Sequence, residues 1–205
     1  LRGPLEEPRG GEPEARTHLL TLTKSTQRST VLRQAYLDEI SIATNGIETT
    51  GTETGREHTF VGLFSPSSTS HSALAIPVIR DTVNNVLQAF GYPPSSHHGK
   101  ELLAVMESYP RDELFHIDAE QLAAHAREIL RLQERHSTRL FLRPDSYGRF
   151  MTALVFLPRR RYSTAVRLNI ERELREAFGS DSIEFELRLG ESAMARVFFR
   201  VLLPQ

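Results

Sequence analysis

The clearest hydrophobic pattern occupies the last third of the chain, where short apolar segments alternate with turn residues. Ser163 can cap a helix that Gly179 ends, and the apolar positions of that helix recur at helical spacing. The pattern predicts strands over 138–143, 149–157, 183–189 and 195–203. The resulting ββαββ order is typical of an α+β sandwich of the ferredoxin-like kind, with one helix across an antiparallel sheet.

Residues 71–136 have the pattern of a helical connecting region. Helices are predicted from Ile76 to Phe90 and from Lys100 to about Ser108, because Gly and Pro residues follow the first and Pro110 follows the second. Asp118 begins a third helix, since Asp118 and Gln121 form a capping box. Leu122, Ala126, Ile129 and Leu130 give this helix its apolar stripe.

The first 70 residues divide into a polar segment and a hairpin. Residues 1–17 are rich in Pro, Gly, Glu and Arg and predict a disordered tail or linker. In 18–70, β-branched and aromatic residues predict one strand from Thr30 and a second from Glu57. The polar, Gly-rich residues 44–55 join them as a long loop.

Composition excludes several classes of protein. A hydrophobic fraction of 39% over 205 residues is ample for a folded core, while a net charge of −1 predicts no nucleic-acid partner. With no cysteine, the chain has no disulfide, thiolate–zinc site or thiol nucleophile, which fits a cytoplasmic protein. The longest apolar runs are far shorter than a membrane span, so no membrane partner is predicted.

Motifs for catalysis and cofactor binding are missing from the sequence. No G-x-G-x-x-G run follows a strand, so the chain alone is predicted to bind no dinucleotide. Gly99 and Lys100 suggest a phosphate loop, but Pro94 and Glu101 occupy positions where that motif needs Gly and Ser or Thr. The histidines have no metal-ligand spacing. We therefore predict no catalytic, cofactor or metal residue in this chain.

One turn has the composition of a small-ligand site, although a ligand-free hairpin turn would look the same. It offers backbone amides, a hydroxyl, a cation and a glycine for close approach, and a basic run after the next strand could receive a carboxylate. The candidate ligand-binding residues are Asp145, Ser146, Gly148, Arg149 and Arg159.

Two sequence runs do not follow from packing requirements, namely ESYPRDELF at 107–115 and RPDSYGRFMTALVFLPRRRYST at 143–164. In the first, the charged residues Arg111, Asp112 and Glu113 either make local ion pairs or contact another domain. Both runs resemble the N-terminal, non-catalytic region of the large bacterial NAD-specific glutamate dehydrogenases. The resemblance continues through RSTVLRQAYLDEI, HTFVGLFS, PPSSHHGK and LQERH, in family order.

The resemblance implies a regulatory region with the end of a PAS-like module in 18–70 and an ACT-like domain in 137–205. It also implies a larger protein that oxidatively deaminates L-glutamate with NAD, and the start at Leu1 fits a piece of such a protein. Other domains of that protein, an amino-acid effector and further copies in a homo-oligomer are the expected partners. Two alternatives stay open: an assembly scaffold that binds no small molecule, and a stand-alone amino-acid-sensing module.

Overall fold

The computed structural model describes residues 19–31, 35–43, 57–189 and 192–204. The predicted tail 1–17 and the predicted loop 44–55 lie outside these residues. The strands are β1 (Leu20–Arg28), β2 (Tyr36–Ala43), β3 (Glu57–Gly62), β4 (Arg139–Pro144), β5 (Phe150–Pro158), β6 (Ile183–Leu189) and β7 (Met194–Leu202). The helices are α1 (Ser67–Ser70), α2 (Ile79–Phe90), α3 (His97–Ser108), α4 (Arg111–Leu114), α5 (Ala119–Arg135) and α6 (Thr164–Phe178).

The N-terminal sheet has three antiparallel strands in the order β1-β2-β3, where the sequence predicted two. β1 was missed because polar residues, among them a buried Lys24, interrupt its alternation. The strand predicted from Thr30 begins only at Tyr36. The predicted hairpin is present as the β2–β3 pair, in which Asp38 lies opposite Gly62.

The helical region follows the predicted order with shifted starts. α2 begins at Ile79 rather than Ile76, because Val78 directly before it has a positive φ of 70°, which a helix does not allow. α3 begins at His97 rather than Lys100, since the Ser96 hydroxyl accepts from the Gly99 amide and caps the helix. Asp118 caps α5 as predicted, accepting from the Gln121 amide at 2.7 Å. Within the described residues, no helix is long and apolar enough to cross a membrane.

The C-terminal sheet confirms the predicted ββαββ sandwich, with strand order β4-β5-β7-β6. Ser163 caps α6 by accepting from Val166, and Gly179 ends it in a left-handed conformation. β5 and β7 lie in the centre, which explains why both are buried along almost their whole length. β4 and β6 form the two edges, so β6 is only partly covered although its hydrophobic alternation is clear.

The two faces of this sheet pack against different layers. One face packs on α6 through a core that includes Val155, Val197 and Phe199. The other face joins Leu154, Phe156 and Phe198 to the helical region in a larger core. The residues that α2, α3 and α5 bury in that core include Val83, Val86, Leu102, Val105, Met106, Leu122, Ala126 and Ile129. Burying each large aliphatic side chain contributes about 1.5–3 kcal/mol, so this shared core holds the helices and the sheet together.

Charged residues occur on the helix-facing side of the sheet in register rows. Partners across all four strands form one row of Arg143, Thr152, Arg200 and Glu184, and another of Arg139, Phe156, Arg196 and Arg188. An aromatic and aliphatic row of Phe141, Leu154 and Phe198, ending at Glu186, lies between them. Buried cations therefore flank an apolar strip, and this arrangement positions the site described next.

Candidate functional site: a charged junction and its cleft

The predicted ligand turn is a compact β-turn whose polar groups bind one another. The Tyr147 amide donates to the Asp145 carboxylate at 3.2 Å, and Gly148 has φ 65°, the left-handed region that suits glycine. Arg149 lies 3.6 Å from Asp145 and also donates to Glu39 at 3.3 Å and to Thr23 at 3.1 Å, which attaches the N-terminal sheet. The ligand role of this turn stays a prediction, and the two cavities described below have other linings.

The two predicted ligand residues that are not yet placed are Ser146 and Arg159. Ser146 is exposed at the tip of the turn. Arg159 begins the short 3-10 helix Arg159–Arg161, and its amide donates to the Ala193 carbonyl at 2.8 Å. The structure thus keeps Arg149 at the junction with the N-terminal sheet and Arg159 at the far end of β5.

The ESYPRDELF run connects the helices to the C-terminal sheet through a buried ion pair. The Arg143 guanidinium donates to Glu113 from Nε at 2.9 Å and from Nη2 at 2.8 Å, and the Thr152 hydroxyl adds a bond of 3.0 Å. Burial by itself would raise the pKa of Glu113, but the bonds and charge of Arg143 outweigh it and the pKa is lowered. Glu113 is therefore a buried carboxylate that stays ionised.

Its neighbour Asp112, on α4, connects the helical region to the N-terminal sheet and to the C-terminal sheet. Lys24 of β1 lies 3.2 Å from Asp112 and 2.5 Å from Asp38, and Arg200 of β7 lies 3.1 Å from Asp112. Burial would raise the pKa of Asp112, yet Lys24 and Arg200 together lower it to about 2. Burial raises the pKa of Asp38 in spite of Lys24.

These contacts correct the predicted role of the charged residues in the ESYPRDELF run and confirm the predicted role of its two apolar residues. Only Arg111 makes the expected local pair, at 3.0 Å from Glu107, whereas Asp112 and Glu113 pair with distant strands. Leu114 and Phe115 are buried anchors, as expected. Charged residues that the sequence assigns to a helix end therefore build the junction between modules.

A cleft of about 770 Å³ opens beside this junction, and most of its wall is polar. It lies between β1, the segment before α2, the α3–α4 connection and the two strands β6 and β7. Its charged lining residues are Lys24, Glu107, Arg111, Asp112, Glu184, Glu186, Arg188, Arg196 and Arg200. With five basic and four acidic side chains, the wall carries more cations than anions.

Arg196 is a buried cation of this wall that is compensated only in part. Its side chain is 5% exposed, and its Nη2 bonds at 3.1 Å to Glu186, a carboxylate that is 60% exposed. Nε and Nη1 are buried without a hydrogen-bond partner among the described residues. Burial, with a smaller contribution from Arg188, lowers the pKa of Arg196 to about 10, because Glu186 compensates only part of the cost.

Arg188 lies directly opposite Arg196 across the β6–β7 ladder. Like charges in directly opposed cross-strand positions are destabilising, and no carboxylate among the described residues pairs with Arg188. The same described part of the chain holds no cluster of three or more side chains suited to a metal ion. Arg188 and the two nitrogen atoms of Arg196 that lack a partner are therefore the groups of this wall that are suited to an anion.

The sequence-based prediction did not include Arg196, Arg200 or Lys24. Arg196 and Arg200 interrupt the apolar run ARVFFRVLL, and their spacing of four places them on one face of a strand. Two arginines on the buried face of a central strand signal a compensated or ligand-binding position. For Lys24 no such signal exists, since its burial depends on Asp38 and Asp112 from distant elements.

Known families match the two C-terminal layers. Residues 76–135 match the model described as glutamate dehydrogenase, helical motif 1. Residues 139–205 match the model described as glutamate dehydrogenase, ACT2 domain. The helices of the shared core and the four-stranded sheet thus each correspond to a module of glutamate dehydrogenases.

Curated relatives extend the similarity into the N-terminal sheet. The chain is 41% identical over 181 residues to an NAD-specific glutamate dehydrogenase of Pseudomonas aeruginosa and 37% identical over 181 residues to that of Halomonas elongata. In both cases 88% of this chain is covered, and 11% of the relative. The Mycobacterium tuberculosis protein of that name is 41% identical over 149 residues, which is 73% of this chain and 9% of the relative.

The chain therefore spans about a tenth of the length of these relatives. The two domain matches and the three relatives agree with the resemblance in the sequence, which points to the N-terminal region of such proteins. The chain belongs to the family of the large NAD-specific glutamate dehydrogenases, of which it carries the helical motif 1 and the ACT2 domain.

Proposed function

We propose that this chain is a non-catalytic regulatory segment of an NAD-dependent glutamate dehydrogenase. The whole protein would oxidatively deaminate L-glutamate to 2-oxoglutarate and ammonium in the cytoplasm, with NAD bound by a domain outside this chain. An effector bound in this segment would bias that reaction from a distance, which is the property that allostery requires.

The proposal depends on the charged junction, which Asp112 and Glu113 of α4 form with Lys24, Arg143 and Arg200. Asp112 contacts β1 and β7 at once, and Glu113 contacts β4 and β5, so both sheets are connected through the short helix α4. A change at the cleft wall would therefore reach both sheets and the helical region through these charged contacts. Coupling of this kind travels through packed side chains and ion-pair networks.

Two activity measurements test the proposal. The 205-residue chain, supplied with glutamate and NAD, should form no NADH. Asp112→Asn in the whole protein should alter the rate at a given glutamate concentration and leave the pH profile of kcat unchanged, since no acid or base of the reaction is removed. NADH formation by the chain, or a lost limb of the pH profile in the variant, would contradict a non-catalytic role.

A structural feature also favours a second candidate function, the assembly of copies. Edge strand β4 exposes Leu140 and Leu142 on the face that α6 covers only in part, with 49% and 45% of each side chain exposed. An exposed apolar edge strand is a template for pairing with another chain, and self-pairing of one edge gives a two-fold dimer. Leu140→Lys combined with Leu142→Lys should then lower the sedimentation mass, and Leu168→Lys on exposed α6 serves as the matched control.

A further inference from the structure

The opposed pair Arg188 and Arg196 lines two cavities at once. Beside the large polar cleft lies a smaller cavity of about 250 Å³, and both residues contribute to both linings. The apolar side chains of the smaller cavity are Ala104, Ile129, Leu132, Phe156 and Met194. The polar cleft and the smaller, apolar cavity, which we call the recess, therefore meet at these two guanidinium groups.

Neither guanidinium group is fully compensated by a carboxylate of the described residues. Arg196 keeps two buried nitrogen atoms without a hydrogen-bond partner among the described residues, and Arg188 faces it across the ladder. A planar guanidinium offers a fork of donors that matches a carboxylate bidentately. Glu186, which already bonds to Nη2 of Arg196, is mostly exposed, so its carboxylate can move into water when the carboxylate of a ligand takes its place beside Arg196.

We propose that Arg188 and Arg196 bind the carboxylate of a small amphipathic monocarboxylate whose apolar group enters the recess beside Ile129 and Phe156. The anion neutralises two like charges that oppose each other, and the apolar group replaces exposure to water with contact to aliphatic and aromatic side chains. This ligand class specifies the effector of the regulatory role proposed above, and the inference rests on that role.

The recess sets the length of the ligand, and the guanidinium pair sets its charge. A volume of about 250 Å³ accommodates a branched group of four or five carbon atoms, whereas acetate would leave the recess unfilled. An uncharged isostere would fill the recess but supply no anion to Arg188 or to Nε and Nη1 of Arg196. A ligand that combines both features is thus expected to bind more tightly than one that has either feature alone.

The test is calorimetric titration of the 205-residue chain with 4-methylpentanoate, 4-methylpentanamide and acetate as probes. We expect 4-methylpentanoate to bind at least about tenfold more tightly than the other two probes. In the ¹⁵N-labelled chain, the Nε–H resonance of Arg196 should shift with 4-methylpentanoate and stay in place with the amide. Equal binding of acid and amide, or no binding up to about 10 mM acid, would overturn the proposal.

Variants separate the guanidinium pair from general charge effects. Arg196→Met should weaken binding of 4-methylpentanoate at least about tenfold. Arg139→Met should leave it unchanged, because Arg139 ends the same register row on β4 and lines neither cavity. Should Arg196→Met lose its folded circular dichroism spectrum, exposed Arg188→Met serves as the second variant with the same expected loss. Undiminished binding in a folded variant of the pair would refute the assignment.

A third variant tests the recess, and a comparison of assays separates this inference from the regulatory role. Ala104→Trp fills the recess and should reduce 4-methylpentanoate binding to the level of acetate, so unchanged preference for the longer acid would count against the apolar subsite. Binding is measured on the chain alone, while regulation is measured as dehydrogenase activity of the whole protein. Binding without any change in activity would refute the regulatory role and retain the site.

Discussion

The Arg143 guanidinium holds the Glu113 carboxylate through two hydrogen bonds of 2.9 and 2.8 Å, in a position where less than a tenth of either side chain is exposed. This pair lies between a four-residue helix and the edge of the C-terminal sheet. Because water is excluded, each charge depends on the other for compensation. The junction is therefore most sensitive to the loss of one partner.

Glu113→Gln is expected to destabilise the chain by about 3 kcal/mol, since it leaves the Arg143 charge buried and uncompensated. Urea unfolding of both proteins would give this difference. Glu128→Gln removes a carboxylate from the exposed pair with Arg131 and should change the free energy of unfolding by less than about 0.5 kcal/mol. Similar losses of unfolding free energy in both variants would show that the buried pair stabilises the chain no more than the exposed pair does.

Replacing both partners should cost less than replacing one. Glu113→Leu with Arg143→Met removes both charges together and puts apolar atoms in their place, which is often close to neutral in buried pairs. We expect the double variant to be more stable than Glu113→Gln by about 1–3 kcal/mol. A double variant less stable than the single one would indicate that the pair itself, rather than the avoided orphan charge, stabilises the junction.

The loss of folding stability at acidic pH should depend on Asp112. Its pKa lies at about 2 in the folded chain, below its ordinary value of 3.8, so Asp112 binds a proton more readily when unfolded. Its stabilising contribution is therefore present above about pH 4 and is lost as the pH falls to 2. With about a third of the side chain exposed, screening reduces this contribution to about 1 kcal/mol.

Unfolding of wild type and Asp112→Asn between pH 2 and 6 measures this effect. The stability difference should be largest at pH 6 and shrink as the pH approaches 2. Asp81→Asn, on the exposed face of α2, controls for the removal of a carboxylate in general. A difference between wild type and Asp112→Asn that stays constant over the whole range would contradict the ionised contact with Lys24 and Arg200.

Local sequence signals predicted those parts of the fold that depend on local physics. The caps Asp118, Ser163 and Gly179 were found because a cap needs only its own residue and the next turn. β1 and the Arg196 site were missed because their polar residues are buried by partners far along the chain. Lys24 needs Asp112, and Arg196 opposes Arg188 only once β6 and β7 are paired in register.

The same reasoning explains why the candidate turn and the observed cleft differ. Asp145 and Arg149 have the composition of a ligand loop, but the fold uses Arg149 to contact Glu39 of the N-terminal sheet. No pattern within the turn signals that contact. The resemblance to a family identified the ACT-like domain, whereas side-chain pairing between the sheets and the helical region became visible only in the structure.

The N-cap of α6 gives a prediction with a built-in control. Ser163→Ala removes the hydroxyl that accepts from the Val166 amide at 3.2 Å and should cost about 1 kcal/mol. Ser163→Asp keeps an oxygen acceptor at the positive end of the helix and should retain wild-type stability. Thermal unfolding of the three proteins compares them, and equal midpoints for the alanine and aspartate variants would contradict the cap.

Replacing Gly99 by alanine should destabilise the chain, which is the opposite of the effect that helix propensity predicts. Alanine is a better helix former than glycine by roughly 0.8–1 kcal/mol, yet a Cβ on Gly99 would come within 2.2 Å of the Pro93 carbonyl oxygen. The backbone of the Pro93–Pro94 turn cannot move aside as a flexible side chain would, so Gly99→Ala should destabilise the chain by about 1–3 kcal/mol. Lys100→Ala, at an exposed position one residue further along α3, should be neutral within about 0.5 kcal/mol. Urea unfolding decides between the two effects, because a stabilised Gly99→Ala would mean that α3 does not start against this turn.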